Sequence, residues 1–324
     1  MKSHIKNTGF AVLTGCALTF GLGFANQPAA PVEVGQVEWR RDLDQAVNES
    51  ATTGKPVLVL FQEVPGCAGC RQFGKDVLSH PPLVEAMQTE FLPVLVHNNK
   101  GGKDAEILKR FGEAAWNYQV IRFLDGKSRD IIPRKDRVWD IHGVATRMIN
   151  ALKSAKRPVP NYLQAIAADS QDMSKLKLAG FAMHCFWTGE MRLGRINGVL
   201  HTEAGWLDGR EIALVRYDPK VLSFRQLTGE AAKIDCAHKV YTSSLEELAE
   251  LKRTGRFAIG QLDDRYQAAS KSDQKKQLQG TPFAKLDLSP LQRTKVNAWA
   301  RTDIRKALAW LSSSQRAQLG SADN

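Results

Sequence analysis

An apolar run that ends at a cysteine constrains the second half of this chain. Leu178 to Met183 has the continuous hydrophobicity of a buried strand, and it stops at His184-Cys185. A segment without proline follows, from Cys185 to Ile196, and Asn197-Gly198 ends it. This order predicts a strand that leads into a helix at Cys185. The unpaired N–H groups of a helix N-terminus favour a thiolate, and a buried, inert cysteine is the alternative.

This cysteine and the segments that follow it resemble, in the same order, the motifs of the A-type peptide methionine sulfoxide reductases. They are Cys185-Phe186-Trp187 with Glu190, Gly198 to Trp206, Glu211 with Tyr217-Asp218-Pro219, and Leu222 to Leu227. The resemblance covers residues 178 to 245. It implies a ferredoxin-like α+β domain that reduces the S epimer of methionine sulfoxide in proteins or peptides, which is a repair reaction.

The resemblance also implies catalytic roles. Cys185 would attack the sulfoxide sulfur and become a sulfenic acid. Glu211 would donate a proton to the oxygen, with its pKa raised by burial. Phe186 and Trp187 would wall an apolar pocket around the substrate methyl group, whereas Glu190 is interpreted as structural.

Several residues depart from the family pattern. Asp235 and Tyr241 lie where the family has a pair that helps to bind the oxygen, but they are one residue further apart. His184 replaces a family glycine, Trp206 replaces a tyrosine, and the loop from Trp206 to Glu211 is short. An inactive relative that only binds sulfoxide therefore stays open as an alternative.

A second cysteine motif lies in the N-terminal half. Pro56 to Phe61 is an apolar run typical of a buried strand, and Cys67-Ala68-Gly69-Cys70 follows it before a helix-like segment. With a further buried strand at Phe91 to Val96, the order resembles that of the thioredoxin-like proteins. The resemblance implies an α/β domain with a redox-active disulfide, in which Cys67 is the exposed nucleophile and Cys70 the resolving thiol.

This motif also has a departure and an alternative. Thioredoxins carry a cis-proline opposite the cysteine pair, but the corresponding segment, Trp116 to Val120, contains no proline. Half of a zinc site is the alternative use of a C-x-x-C. No second C-x-x-C, and no His or Cys at ligand spacing, accompanies it. We therefore predict no metal and no other cofactor.

The distribution of cysteines favours redox chemistry over disulfide stapling. Removal of Cys16 with a leader would leave Cys67, Cys70, Cys185 and Cys236, which are too few for a disulfide scaffold in a chain of 324 residues. No cysteine follows Cys236. Cys236 is therefore a candidate to resolve a Cys185 sulfenic acid, and Cys67 is the other.

The N-terminus has the features of a secretory signal. Basic residues precede the apolar run Gly9 to Ala25, and Asn26-Gln27-Pro28 follows it. We predict a signal peptide and a periplasmic or otherwise exported protein. Leu13-Thr14-Gly15-Cys16 also fits a lipoprotein box, but the apolar run continues past Cys16, so this anchor is less favoured.

Five segments follow from these observations. They are a signal peptide (1–25), a thioredoxin-like domain (37–156), a linker (157–174), a reductase-like domain (175–285) and a helical tail (286–324). Three further expectations are a helix from Trp39 to Thr53, a hairpin of Val120–Leu124 with Asp130–Ile132, and a helical stretch from Asp263 to Gln279.

The predicted function is that of an exported thiol oxidoreductase. Its partners would be oxidised methionine in proteins or peptides and an external thiol reductant or membrane electron donor. The net charge is +11, but Lys and Arg are scattered, so no nucleic-acid partner is expected. The alternative is a thiol–disulfide reductase or isomerase that uses only Cys67 and Cys70, with an inactive sulfoxide-binding second domain.

Overall fold

The computed structural model describes residues 30–116 and 119–320. The predicted signal peptide, together with Cys16, lies outside the described residues. Within the described ranges, no helix has both the length and the apolar character needed to cross a membrane.

Three strands form the sheet of the N-terminal half. The central strand, β1 (Val57–Gln62), pairs in parallel with β2 (Leu92–His97) and antiparallel with β3 (Val120–Leu124). Nearly every residue of these strands is buried, as their continuous apolar runs predicted.

Helices cover both faces of this sheet, because successive side chains of β1 point to opposite sides. The helices are α1 (Leu43–Thr53), α2 (Ala68–Asp76), α3 (Pro81–Glu90), α4 (Lys103–Phe111), α5 (Ile141–Ser154) and α6 (Asn161–Asp169). Val57, Val59 and Phe61 pack with α1 and α4, whereas Leu58 and Leu60 pack with α2, α3, α5 and α6.

Helix α6 falls within the predicted linker. Its Tyr162, Leu163 and Ile166 are buried in the core formed with α3 and α5. This part of the segment 157–174 therefore packs on the first sheet's layer of helices.

Two predicted elements differ from those observed. The first helix starts at Leu43 instead of Trp39, because Asp42 accepts a hydrogen bond from the Gln45 N–H and caps it. The predicted hairpin is reduced to β3 and one bridge between Leu124 and Asp130. Pro133 follows shortly after that bridge and has no N–H group with which to extend a ladder.

Six strands form the second sheet. They are β4 (Lys177–Ala182), β5 (Val199–Leu207), β6 (Arg210–Tyr217), β7 (Lys239–Thr242), β8 (Ala258–Gln261) and β9 (Gln267–Ala268). Their order in the sheet is β8-β7-β4-β6-β5-β9, and neighbouring strands are antiparallel, except that β7 and β8 are parallel. The helices between them are α7 (Phe186–Leu193), α8 (Phe224–Lys233) and α9 (Leu245–Thr254).

The two faces of this sheet bear different side chains. Phe181 and Val240 pack with residues of α7 and α8, and we call this side the helix face. Their neighbours Ala182 and Tyr241 pack with Ile212 on the opposite face. The alternation decides which of the predicted site residues can meet.

The stretch from Asp263 to Gln279 is not the helix that was predicted. It contains the short strand β9 and the 3-10 turn Lys276–Leu278. The Gln274 side-chain amide bonds to the backbone N–H and C=O of Ala204, and Lys275 has a left-handed φ of 49°. These polar side chains bond to β5 and to buried groups instead of solvating the surface of a helix.

The C-terminal tail contacts both halves of the molecule. It consists of α10 (Pro290–Trp299), α11 (Ile304–Leu308) and α12 (Ser313–Gly320). Both carboxylate oxygens of Asp169 lie 3.1 Å from the Leu291 N–H nitrogen, and Arg195 Nε donates to the Ala298 carbonyl at 3.0 Å. The chain from Pro31 onward therefore forms one compact unit.

Candidate active site

Cys185 stands at the junction that the sequence predicted. It is the N-cap residue of α7, with extended φ and ψ angles of −148° and 120°, and its free thiol is partly buried. Gly189 lets this helix lie close to the sheet. A Cβ at that position would meet Met183 Sδ at 2.6 Å and Ala213 Cβ at 3.0 Å.

Glu211 lies at the same helix end. Its Oε2 accepts a hydrogen bond of 2.7 Å from the N–H of Phe186, the residue directly after Cys185. Ile212 points to the opposite face of the sheet, so Glu211 and its cross-strand partner Trp206 lie on the helix face. A carboxyl group and a thiol are thereby brought to one helix N-terminus.

Three aromatic rings surround this end of α7. The ring centroid of Phe186 lies 5.9 Å from that of Trp187 and 5.3 Å from that of Trp206. Phe186 is buried, but Trp206 is 44% exposed, so the group opens to solvent. Trp206 was identified in the sequence only as a departure. Trp206 on β5 pairs with Glu211 on β6. This pairing is the feature that would have indicated that Trp206 belongs to the pocket wall.

Among the described residues, no hydrogen bond or ring contact joins Asp235 or Tyr241 to Cys185. Asp235 is exposed, and its Oδ1 lies 3.0 Å from His238 Nε2. Tyr241 is fully buried on the opposite face, with Lys239 Nζ 4.7 Å from its ring centroid. Their role in oxygen binding stays a prediction.

Cys236 lies in the segment between α8 and β7. It is fully buried, and burial raises its pKa to about 11. Its Sγ is 3.5 Å from the Ile234 carbonyl oxygen, which also accepts a 2.9 Å hydrogen bond from Arg192 Nη1. Cys236 therefore lies close to the guanidinium group of Arg192 on α7.

The Cys67–Cys70 pair begins α2. Cys67 is the exposed N-cap residue, Cys70 is buried, and their sulfurs are 3.4 Å apart. The Cys70 backbone N–H lowers the pKa of Cys67, whereas burial raises the pKa of Cys70 to about 12. Such an asymmetry suits an attacking thiol and a resolving thiol.

Gln119 faces this pair from the segment where a cis-proline is absent. It is the residue before β3, is buried, and has a left-handed φ of 53°. A Cβ placed on Gly69 would lie 3.5 Å from Gln119 Nε2 and 3.7 Å from Cys67 Sγ. A glutamine amide thus occupies space next to the C-x-x-C.

A known protein family and several known proteins are similar to parts of this chain. A model described as thioredoxin-like matches residues 38–126. Peptide methionine sulfoxide reductase A5 of Arabidopsis thaliana is 34% identical over 88 residues, which are 23% of this chain and 34% of that protein. Peptide methionine sulfoxide reductase MsrA of Clostridium perfringens is 38% identical over 72 residues, which are 17% of this chain and 44% of that protein. The chain thus spans less than half the length of these relatives.

Two solved structures also resemble parts of the chain. A DsbH oxidoreductase has 15% identity and a TM-score of 0.31, with 40% of this chain and 94% of that one covered. Methionine sulfoxide reductase A of Corynebacterium diphtheriae has 17% identity and a TM-score of 0.27, with 39% and 86% covered.

The predicted fold class is confirmed. A three-stranded sheet lies in the thioredoxin-like region, and a six-stranded mixed sheet follows it. The chain contains a thioredoxin-like domain at residues 38–126, and part of it is similar to the A-type peptide methionine sulfoxide reductases.

Proposed function

We propose that the protein reduces the S epimer of methionine sulfoxide in proteins or peptides. The observation that carries this proposal is the 2.7 Å hydrogen bond from the Phe186 N–H to Glu211 Oε2, directly beside Cys185. A proton donor and a nucleophile are the two groups that sulfoxide reduction by a thiol requires. The partial similarity to peptide methionine sulfoxide reductases supports the choice of substrate.

In the proposed reaction, the Cys185 thiolate attacks the sulfoxide sulfur while Glu211 protonates the oxygen. The oxygen is transferred to Cys185, which becomes a sulfenic acid, and methionine leaves. The sulfide product has gained two electrons and the cysteine has lost them. Phe186, Trp187 and Trp206 offer apolar surface for the substrate methyl group.

Recycling needs a second thiol. The candidates for this thiol are Cys236 and Cys67. The thiol condenses with the Cys185 sulfenic acid, releases water and forms a disulfide. If Cys236 is the second thiol, Cys67 then attacks the Cys185–Cys236 disulfide. Cys70 completes the exchange, and the Cys67–Cys70 disulfide is reduced by an external thiol reductant or a membrane electron donor. The lowered pKa of Cys67 supports its role as the attacking thiol. We also propose export from the cytoplasm, which N-terminal sequencing of the isolated protein tests.

The decisive experiment is an assay of the purified full chain on both sulfoxide epimers of a methionine peptide, with a small dithiol as reductant. The S epimer should be reduced and the R epimer left unchanged. Cys185→Ser should abolish the reaction, whereas Glu230→Gln, on the exposed side of α8, serves as the control and should retain it. Equal turnover by the wild type and Cys185→Ser would refute the proposal.

The asymmetry of the Cys67–Cys70 pair favours a second candidate function. In this alternative the protein exchanges disulfides through Cys67 and Cys70, and the second domain only binds sulfoxide. The two candidates separate in one preparation, because only the second predicts disulfide reductase activity with no turnover of sulfoxide.

A further inference from the structure

We infer that the reduced Cys67–Cys70 pair, together with Glu63, forms a binding site for a thiophilic divalent cation such as zinc. A carboxylate oxygen of Glu63 and the two sulfurs all lie within 4.8 Å of one another. The inference concerns the first domain and does not depend on the chemistry of Cys185.

The donor set suits zinc. Zinc binds thiolate sulfur at about 2.3 Å and carboxylate oxygen at about 2.0–2.2 Å, with tetrahedral geometry. Two sulfurs on such an ion are about 3.8 Å apart, and those of Cys67 and Cys70 are 3.4 Å apart. A small outward movement of the exposed Cys67 would accommodate the ion. Water would complete the coordination on the exposed side.

The local fold holds Glu63 next to the thiols. A Cβ on Gly66 would lie 2.5 Å from Cys70 Cβ and 2.6 Å from the Glu63 carbonyl oxygen, so only glycine permits this tight loop. The Gly66 N–H donates to Glu33 Oε1 at 3.0 Å, and Gln62 Nε2 donates to the Cys70 carbonyl at 3.3 Å. The tight loop after Glu63 and these hydrogen bonds therefore hold Glu63 beside the first turn of α2, which bears both thiols.

The electrostatics of the loop also favour a cation. A carboxylate oxygen of Glu63 lies within 4.8 Å of both sulfurs. A bound divalent cation stabilises two thiolates and a carboxylate at once. Binding would release the thiol protons and therefore strengthen as the pH rises.

The redox state of the pair should control this site. A Cys67–Cys70 disulfide has no thiolates, so oxidation and zinc binding exclude each other. Zinc would hold the reduced pair out of disulfide exchange. The expectation of no metal considered only Cys and His at ligand spacing, whereas the third donor proposed here is a glutamate four residues before Cys67.

A competition assay with a chromogenic chelator tests the proposal, with zinc ion as the probe and the reduced full chain as the protein. We expect one zinc per chain, and none after the pair is oxidised. Glu63→Gln should weaken binding at least about tenfold, the scale reached even when a ligand loses a hydrogen-bond partner. Glu38→Gln, an exposed carboxylate in the same domain, is the control and should bind as the wild type does.

Three results would overturn the proposal. They are the absence of zinc binding to the reduced chain, unchanged affinity in Glu63→Gln, and retention of zinc by a Cys67→Ser/Cys70→Ser double variant. If Glu63→Gln does not fold, the wild type still gives a test. X-ray absorption should find two sulfur ligands at about 2.3 Å, and zinc should protect Cys67 from alkylation. Absence of either result contradicts the site.

Discussion

Lys275 Nζ lies 2.7 Å from Glu190 Oε1, in a pair that is 85 residues apart in the chain and almost closed to solvent. The Lys275 N–H donates to the other carboxylate oxygen at 2.7 Å, and Thr202 Oγ1 donates to Oε1 at 3.2 Å. Helix α7, strand β5 and the stretch from Asp263 to Gln279 therefore meet at the buried carboxylate of Glu190. This is the helix that Cys185 caps.

Loss of Lys275 should destabilise the protein severely. Lys275→Met leaves a buried carboxylate without its counter-charge, which costs about 3–5 kcal/mol of the free energy of unfolding. The double variant Glu190→Met/Lys275→Met should recover much of that loss, because no unpaired charge remains. Urea unfolding measures both, and Lys271→Met, an exposed lysine nearby, is the control. Equal stability of the Lys275 and Lys271 variants would contradict this prediction.

Removal of the Glu211 proton should slow sulfoxide reduction without removing the thiol. Glutamine keeps an oxygen that accepts the Phe186 N–H bond but cannot donate an acidic proton. We expect Glu211→Gln to lower turnover about 10²–10⁴-fold, while Cys185 still reacts with iodoacetamide. Glu230→Gln, on the exposed side of α8, should behave as the wild type. Near-normal turnover of Glu211→Gln would exclude the acid role.

The two thiols of the C-x-x-C should differ in their pH dependence. The pKa of Cys67 lies below the ordinary value of 9.0 because the Cys70 N–H stabilises its thiolate, whereas that of Cys70 is about 12. The thiolate forms above the pKa, so Cys67 should be alkylated with a midpoint below pH 9 and Cys70 should stay unreacted there. Mass spectrometry of peptides labelled between pH 6 and 9 checks this. Equal labelling of both cysteines would contradict it.

The intermediate of recycling can be trapped. In Cys70→Ser, Cys67 has no resolving partner, so turnover should leave it in a mixed disulfide. Because Cys236 is buried beside Arg192, we expect the partner to be Cys185. Peptide mapping identifies the partner, and a non-reducing gel distinguishes a link within one chain from a link between two. A free Cys67 thiol after turnover would show that an external reductant serves Cys185 directly.

The sequence predicted those elements whose signal is local. The buried strands appear as apolar runs, and Ser289-Pro290 marks the start of α10, where Ser289 and Gln292 form a capping box. The sequence did not predict contacts between residues that are distant from each other in the chain. Lys275 is polar in any window of the sequence, and its burial depends on Glu190 and on the Thr202 carbonyl, both distant in the chain.

The same limit applied to the candidate site. Cys185 and Glu211 were identified from motifs, and the structure brings them to one helix end. Tyr241 was chosen by a loose match, and in the structure it packs with Ile212 on the face of the sheet opposite the helices. The approach of Glu63 to the two thiols depends on the Gly66 turn, which the spacing of the residues does not indicate.

The Asp169–Leu291 contact should make the connection between the first domain and the tail depend on pH. Burial raises the pKa of Asp169, so the folded protein binds its proton at a higher pH than the unfolded chain does. Stability from this group is present below the ordinary pKa of 3.8 and is lost as the pH rises through the raised folded value.

Asparagine keeps an oxygen for the Leu291 N–H and carries no charge. Asp169→Asn should therefore gain stability relative to the wild type as the pH rises from 4 to 7. Asp169→Ala should instead lose about 1 kcal/mol, as is typical for a helix cap. Urea unfolding at both pH values measures the difference. If Asp169→Asn is no more stable relative to the wild type at pH 7 than at pH 4, the Asp169 carboxyl group does not titrate in this contact.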